Sequence, residues 1–430
     1  MDQNASKWKH CLEIGALSDV GLRRTNNQDS MALALASSQE EWQRRGHLFL
    51  VADGMGAHAA GELASKLAAD NIPLTYRKIR GMSPTDALQS AITTANENIH
   101  QRGQANDDFK GMGTTVSALV LLPQGAVVGQ VGDSRTYRLR NHSLEQLTFD
   151  HSLVWEMAAA GQIPDKEVES YVPKNIITRS LGPHAEVKVD LEGPFPIETG
   201  DTFLLCSDGL SGPVSNDELG TIMGCLGPEE AVRALVDLAN LRGGPDNITV
   251  IIVRVTGPQV IQADEGERPY VQQQLRQPVH PLLCSGIGVF LLAALGSAML
   301  GAWVIGGACL LGAAVLGGLA LAQSQPPKET DFWNESPLGK GPYSVCSCVA
   351  NLELAKRLAK MIQELREATA REEWAIDWNR LNELDAQATA ALQGDNHAEA
   401  IRAYCRAMSF LMDQLRHLRQ TGSDDSSVLE

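Results

Sequence analysis

Short apolar runs and two helical repeats alternate over the first 257 residues of the chain. Residues 59–79 and 84–102 place apolar side chains at the 3.6-residue spacing of a helix, which predicts two amphipathic helices. Strand-like runs of aliphatic and β-branched residues lie at 47–52, 114–122, 126–131, 202–206 and 247–255. We therefore expect a unit of mixed helices and strands over residues 1–257.

The most apolar stretch follows a polar, Gln-rich linker at 258–281. Residues 282–322 are 41 consecutive positions without Asp, Glu, Lys, Arg or His. Since about 20 helical residues cross a bilayer core, we predict a transmembrane segment of two helices that turns near residue 301. One span with a re-entrant stretch is an alternative. A buried soluble helix pair is disfavoured because such helices normally carry polar outer faces.

The C-terminal part of the chain has a helical pattern. After a Pro-, Gly- and Ser-containing linker at 323–350, residues 351–420 keep helical spacing almost throughout, with a turn at 394–396. The segment resembles one tetratricopeptide-type hairpin or an ordinary helical bundle. One such unit cannot bury its own faces, so we expect it to pack on other helices or to self-associate. Residues 421–430 are expected to form a disordered tail.

Charge and cysteine content narrow the class of protein. The 52 Asp and Glu against 36 Lys and Arg give a net charge of −16, which disfavours nucleic-acid binding. Eight cysteines without disulfide-framework spacing suit a reducing compartment. The N-terminal residues contain no apolar run, so we expect no cleavable signal peptide. With the predicted hairpin, this implies a multi-pass membrane protein whose catalytic and C-terminal domains are both cytoplasmic.

Acidic residues at the ends of predicted strands are the candidate chemistry. Asp53 and Asp208 each end an apolar run and precede a glycine, Asp133 lies between two strands, and Asp246 precedes the last strand. Each Asp-Gly alone is more often a turn than a ligand. Together, carboxylates from rigid strand ends can converge on one point, and without a matching His or Cys cluster they favour Mg²⁺ or Mn²⁺ over zinc.

Eight ordered segments carry a family resemblance. Residues 15–255 resemble the bacterial branch of the PPM/PP2C metal-dependent protein serine/threonine phosphatases. The matching segments are 18–30, 51–56, 111–115, 131–135, 147–153, 175–182, 206–210 and 246–250. The resemblance implies an α+β catalytic domain, a four-layer α-β-β-α sandwich. We expect the transmembrane hairpin and an all-α C-terminal domain to follow it.

The resemblance also implies a metal-binding role for five residues. Asp53 would bridge two Mn²⁺ or Mg²⁺ ions, and the Gly54 carbonyl would bind the second of them. Asp208 and Asp246 would complete the first ion. Asp133 matches the acidic residue that is linked to a third, weaker ion in bacterial relatives.

Two further residues and one region take their roles from the same resemblance. Arg24 would hold the substrate phosphate with its two-pronged guanidinium, and Asp29 would lie near the metals, through water rather than directly. The region from 150 to about 173 matches the family's flap, which lies beside the active site.

The sequence supports a principal hypothesis and two alternatives. The first is hydrolysis of phosphoserine and phosphothreonine in proteins by a metal-activated water, at the cytoplasmic face of a membrane and near a serine/threonine kinase. The second is a phosphatase-like phosphopeptide sensor or scaffold that recruits partners through its C-terminal helices. A metal-dependent phosphatase for small molecules would use the same ligands. Because all the expected acids are present, we favour an enzyme.

Overall fold

The computed structural model describes residues 11–56, 59–161, 173, 176–257, 281–300, 302–324, 338–371 and 376–425. The chain divides into two compact units. The larger unit combines Met1–Glu265 with Pro337–Glu430, and the smaller one is Gly266–Ser336. Most of the two predicted linkers therefore lies outside the described residues.

Two antiparallel sheets form the centre of the larger unit. In chain order, the strands are β1 (Leu12–Asp19), β2 (Asp29–Ala34), β3 (His47–Met55), β4 (Gly113–Thr114), β5 (Val116–Leu122), β6 (Gly125–Val131), β7 (Arg135–Arg140), β8 (Ser143–Gln146), β9 (Asp190–Phe195), β10 (Thr202–Cys206), β11 (Ile248–Val255) and β12 (Ser344–Ser347). The first sheet has the order β1-β11-β10-β7-β8-β12. The second has the order β2-β3-β5-β6-β9, with β4 paired to β3.

The described residues also form α-helices along the chain. They are α1 (Gln39–Arg45), α2 (Ala60–Lys78), α3 (Pro84–Ala105), α4 (Leu153–Ala159), α5 (Asp208–Ser211), α6 (Asn216–Cys225), α7 (Pro228–Leu241), α8 (Pro281–Met299), α9 (Trp303–Ser324), α10 (Leu352–Arg371), α11 (Trp378–Gln393) and α12 (His397–Asp425). The two amphipathic helices and the five strands predicted over residues 1–257 are thus confirmed, with ends shifted by a few residues.

The alternation of side chains along the strands explains the four layers. Phe49 and Val51 of β3 pack with Phe203 and Leu205 of β10 between the two sheets. Their neighbours on β3, such as Leu50, point the other way and pack against α2 and α3. Because both faces are covered, these strands are continuously apolar rather than alternating. The predicted α+β sandwich is confirmed.

The C-terminal segment belongs to the same compact unit as the two sheets. Strand β12 extends the first sheet by pairing with β8. Helices α10, α11 and α12 share one apolar core with α6 and α7, which cover that sheet. The predicted all-α region therefore exists, and its helices pack on helices of the sandwich. The comparison with a tetratricopeptide hairpin remains a prediction.

Helices α8 and α9 correspond to the predicted apolar hairpin and pack against each other. Among the described residues, however, none of the helices combines the length and apolarity needed to span a bilayer. The predictions of a transmembrane segment and of multi-pass membrane localisation are therefore wrong. The prediction was based on 41 residues without a charged side chain. A membrane span requires more than this, namely one helix of about 20 residues that is apolar throughout.

Candidate metal centre

Five aspartates occupy strand ends at one edge of the sandwich. Asp29 opens β2 and pairs in register with Asp53 of β3. Asp133 lies in the turn between β6 and β7, Asp208 follows β10, and Asp246 precedes β11. The sheets meet there face to face, so the fold brings together acids that lie far apart in the sequence. This is the juxtaposition that the sequence predicted.

The electrostatic surroundings of Asp53 show how closely these acids lie. Loss of hydration raises the pKa of Asp53 well above its usual value, and the neighbouring carboxylates of Asp29, Asp208, Asp133 and Asp246 raise it further. A carboxylate surrounded by other carboxylates is destabilised in its charged form. Such crowding needs a compensating positive charge, which a divalent cation supplies.

Buried carboxylate oxygens that lack a hydrogen-bond partner indicate whether the site suits a cation. Asp29, Asp133 and Asp208 each have a buried Oδ1 without a hydrogen-bond partner among the described residues. A buried acceptor without a donor is unfavourable, and a hard cation satisfies it directly. No three His, Cys, Asp or Glu side chains in the described ranges already surround a common point at ligand spacing. The acids are therefore neighbours of the right chemistry for a hard cation. Their side chains would have to move closer to one another to coordinate it.

Two glycines allow the backbone approaches that assemble this edge. A Cβ at Gly54 would lie 2.2 Å from the Gly61 carbonyl oxygen and 2.4 Å from that of Gln28. A Cβ at Gly209 would lie 1.9 Å from the Asn247 carbonyl oxygen. Both Asp-Gly pairs are thus required by packing, since the glycine lets the chain beside each acid contact another segment.

Asp29 is held at the centre by hydroxyl donors. The Ser207 hydroxyl donates to Asp29 Oδ2 at 2.8 Å. Burial raises the pKa of Asp29 to about 7, against the opposing effect of hydrogen bonds from Ser207 and Thr249. One carboxylate oxygen is therefore occupied while the other is unpartnered, which fits the predicted position near the metals.

Arg24 lies at the rim, with just over half of its side chain exposed. It donates from Nη2 to Asp246 Oδ2 at 2.7 Å. This hydrogen bond raises the pKa of Arg24, and the charges of Asp53 and Asp208 also favour its protonated form. A cation at the rim of an acidic site can bind a phosphate group while the acids face inward.

Sequence reasoning missed the residue that holds the Arg24 loop in place. The Asn247 side chain donates from Nδ2 to the carbonyl oxygens of Val20 and Asn26, at 2.8 and 3.0 Å. It also accepts from the Gln28 backbone N–H at 2.8 Å. Asn247 therefore ties the segment before β2 to the start of β11. Its place in the matched segment 246–250 was the available signal.

Arg135 was also missed as a residue of the site. It donates from Nε to Asp150 Oδ2 at 2.8 Å. Its positive charge lowers the pKa of both Asp133 and Asp208, against the larger effect of burial. Arg135 thus supplies part of the compensating charge from inside the fold.

Comparison with known proteins agrees with this fold. Residues 23–239 match the protein phosphatase 2C family. A putative protein phosphatase 2C-type of Streptococcus pyogenes is 39% identical over 246 residues, and protein phosphatase PhpP of Streptococcus pneumoniae is 37% identical over 247. Each alignment covers 56% of this chain and 97% of the relative.

Solved structures give the same result. The serine/threonine phosphatase PstP/Ppp of Mycobacterium tuberculosis is 34% identical with a TM-score of 0.51. The serine/threonine phosphatase of S. agalactiae is 36% identical, also with a TM-score of 0.51. Each match covers 57% of this chain and 99% of the solved one. The chain belongs to the protein phosphatase 2C family, and its catalytic unit is that of a protein serine/threonine phosphatase.

Proposed function

We propose that the chain hydrolyses phosphoserine and phosphothreonine in proteins with a water activated by two divalent ions. Phosphatases of this family use Mn²⁺ or Mg²⁺. The observation that carries the proposal is the cluster of buried carboxylates with unpartnered oxygens at the strand ends. An acid cluster of this kind is unfavourable without a cation and suits a metal-dependent hydrolase.

The proposed ligand set follows the positions of the acids. Asp53 and the Gly54 carbonyl would be ligands of the ions. Asp208 and Asp246 would complete the first ion, and Asp133 would hold a third. When bound, the ions would supply an activated water as the nucleophile for the phosphoryl group.

The chain's own residues would position the substrate and the water. Arg24, exposed at the rim, would bind two phosphoryl oxygens through its guanidinium and so offset their charge. Asp29, fixed by Ser207, would orient a water of the site by a hydrogen bond. A serine/threonine kinase that modifies the same proteins is the expected functional partner. Self-association through the C-terminal helices has no support, because their buried faces already pack on α6 and α7.

The test is phosphate release from a phosphothreonine peptide by the full chain, with Mn²⁺ added or chelated. The full chain is needed because the C-terminal helices share a core with the catalytic unit. Asp208→Asn should lose activity about 1000-fold, which is about 4 kcal/mol of barrier. Asp70→Asn, on the exposed face of α2, should keep it. A wild type that is folded and metal-loaded but inactive on several phosphopeptides would favour the sensor over the enzyme.

A further inference from the structure

A short segment that follows the smaller unit binds back onto the catalytic sandwich. We define residues 338–348 as the strap. Leu338 and Gly193 exchange two backbone hydrogen bonds, of 2.7 and 3.2 Å. The strap then continues as β12, which pairs with β8. The alignments to the two streptococcal relatives cover 97% of each of them but reach only 56% of this chain, so those proteins have no room for a counterpart of both the strap and α10–α12.

One buried carboxylate organises the strap. Glu192, 2% exposed, accepts from the backbone N–H groups of Lys340 and Gly341, both at 3.0 Å, and from the Tyr343 hydroxyl at 2.5 Å. Gly339 has a φ of +69°, and a Cβ there would lie 1.8 Å from Glu192 Oε2. The strap conformation is thus built around Glu192 and fixes the direction of the Tyr343 side chain.

The Tyr343 ring starts a series of aromatic contacts. It lies edge-on to the Phe149 ring, with centroids 5.4 Å apart at 64°. Phe149 in turn meets the Trp155 ring of α4 at 5.4 Å and 89°. Edge-to-face pairs of this kind favour one mutual orientation as well as burial. Since α4 lies in the predicted flap region, these ring contacts connect the strap to that region through Phe149.

The series ends beside the metal centre. The Arg135 guanidinium carbon lies 5.7 Å from the centre of the Trp155 ring. Arg135 binds Asp150 from both Nε and Nη2, at 2.8 and 2.7 Å, and it opens β7 directly after the turn that carries Asp133. The face of Trp155 and the carboxylate of Asp150 therefore hold Arg135 from two sides. A shift of α4 would change one of these two contacts.

We propose that Tyr343 is a positioning residue for phosphoprotein binding: through Phe149 and Trp155, the strap sets the place of α4 beside the metal centre. The proposal rests on the proposed function, since it concerns affinity for the same substrates. Tyr343 touches neither substrate nor metal, and its effect passes through Phe149. A small phosphate ester that does not reach α4 should therefore be insensitive to it.

The test compares three full-length variants on two substrates at saturating Mn²⁺. Tyr343→Ala removes the ring, Tyr343→Phe keeps the ring and removes the hydroxyl, and Val345→Ala is a control at a 63% exposed position of the strap. We expect Tyr343→Ala to raise KM for a phosphothreonine peptide about 5- to 10-fold while kcat/KM for p-nitrophenyl phosphate stays within twofold. Tyr343→Phe should keep most of the peptide affinity that Tyr343→Ala loses. Val345→Ala should have the same KM for the peptide as the wild type.

Hydrogen exchange gives a second readout that does not need activity. Amides of 153–161 should exchange faster in Tyr343→Ala, and no faster in Val345→Ala. If Tyr343→Ala does not fold, Tyr343→Leu keeps apolar volume without the aromatic edge and takes its place. Equal loss on both substrates, or unchanged peptide KM together with unchanged exchange, would overturn the proposal. If the wild type hydrolyses neither substrate, the proposed function fails, and exchange at 153–161 alone decides the positioning role.

Discussion

Two regions of this molecule hold buried carboxylates in opposite surroundings. At the metal centre, Asp53 has other carboxylates as its charged neighbours, namely Asp29, Asp208, Asp133 and Asp246. At the interface between the sandwich and the C-terminal helices, acids face arginines across the two segments. The two buried acids are Asp237, which pairs with Arg416, and Glu218, which pairs with Arg357. Three partly exposed acids add to them: Glu230 with Arg406, Asp413 with Arg233, and Asp217 with Arg357.

The same side chain therefore has different roles in the two regions. A buried carboxylate with a hydrogen-bonded arginine contributes to a specific packing arrangement, whereas one among other carboxylates lowers stability unless something else binds. The interface carboxylates therefore have a structural role, and the strand-end carboxylates are the candidate functional group. Substitutions at the metal centre should lower activity without lowering stability. Substitutions at the interface should lower stability without lowering activity.

The largest effect is expected from Asp53→Asn at the metal centre. Removing this proposed metal ligand should lower phosphatase activity by about 1000-fold or more, because the proposed metal binding and water activation depend on it. The free energy of unfolding without metal should stay equal or rise by about 1 kcal/mol, because one uncompensated charge is gone. The activity is checked by measuring turnover. The stability is checked on the same preparation by urea unfolding in the presence of a chelator. A large loss of stability would contradict the functional reading of this cluster.

At the interface, Arg416→Met should lower stability and leave activity nearly unchanged. It leaves the Asp237 side chain, which is fully buried, without its cation. We expect a loss of about 2 kcal/mol, less than the ~3–5 kcal/mol of a wholly buried pair, because one third of Arg416 is exposed and burial already raises the pKa of Asp237 to about 6. Activity per folded molecule should stay within twofold. Arg416→Lys, which keeps the charge, should retain most of the stability in chemical denaturation.

Gly220→Ala tests the packing of the strap on α6. The new Cβ would lie 2.3 Å from Cys348 Sγ and 2.8 Å from its Cβ. Overpacking of this kind costs about 1–2 kcal/mol, and thermal unfolding would measure it. Combining the change with Cys348→Ala should be less destabilising than the sum of the two single changes. Strict additivity would mean that the strap does not pack on α6 at this point.

The smallest effect concerns acid stability at Glu218. Burial opposes its ionisation, but hydrogen bonds from Arg242 and Ser215 outweigh it and lower its pKa to about 2. Because the folded pKa lies below the ordinary value, the group's stabilisation is complete above about pH 4.5 and is lost as pH falls toward 2. Between pH 5 and pH 4 we expect roughly 0.5 kcal/mol of stability to be lost. In Glu218→Gln this part of the pH dependence should vanish, whereas an unchanged slope would assign it to other carboxyl groups.

Much of the catalytic sandwich was predictable because its signals are local. Strand β3 is an apolar run that ends in Asp53-Gly54, and β10 repeats the arrangement before Asp208. The matched segments then linked these ends to one site. The ligand roles of those residues remain predictions.

The C-terminal half was less predictable because its contacts are long-range. Strand β12 is only four residues long, lies in a stretch with linker composition and exists through pairing with β8, about 200 residues earlier in the chain. Nothing near Tyr343 in the sequence indicates that its hydroxyl reaches Glu192. In the opposite direction, the uncharged run at 282–322 was a conspicuous local signal that led to the wrong prediction of a membrane span.

Calorimetric titration of Mn²⁺ into the full chain tests the central claim most directly. Asp208→Asn and Asp237→Asn remove the same chemical group from the metal centre and from the interface, respectively. We predict that the wild type and Asp237→Asn bind at least two ions per chain, and that Asp208→Asn loses at least one ion or tenfold in affinity. Equal Mn²⁺ binding by the wild type and Asp208→Asn would contradict the assignment of the strand-end aspartates as the metal centre.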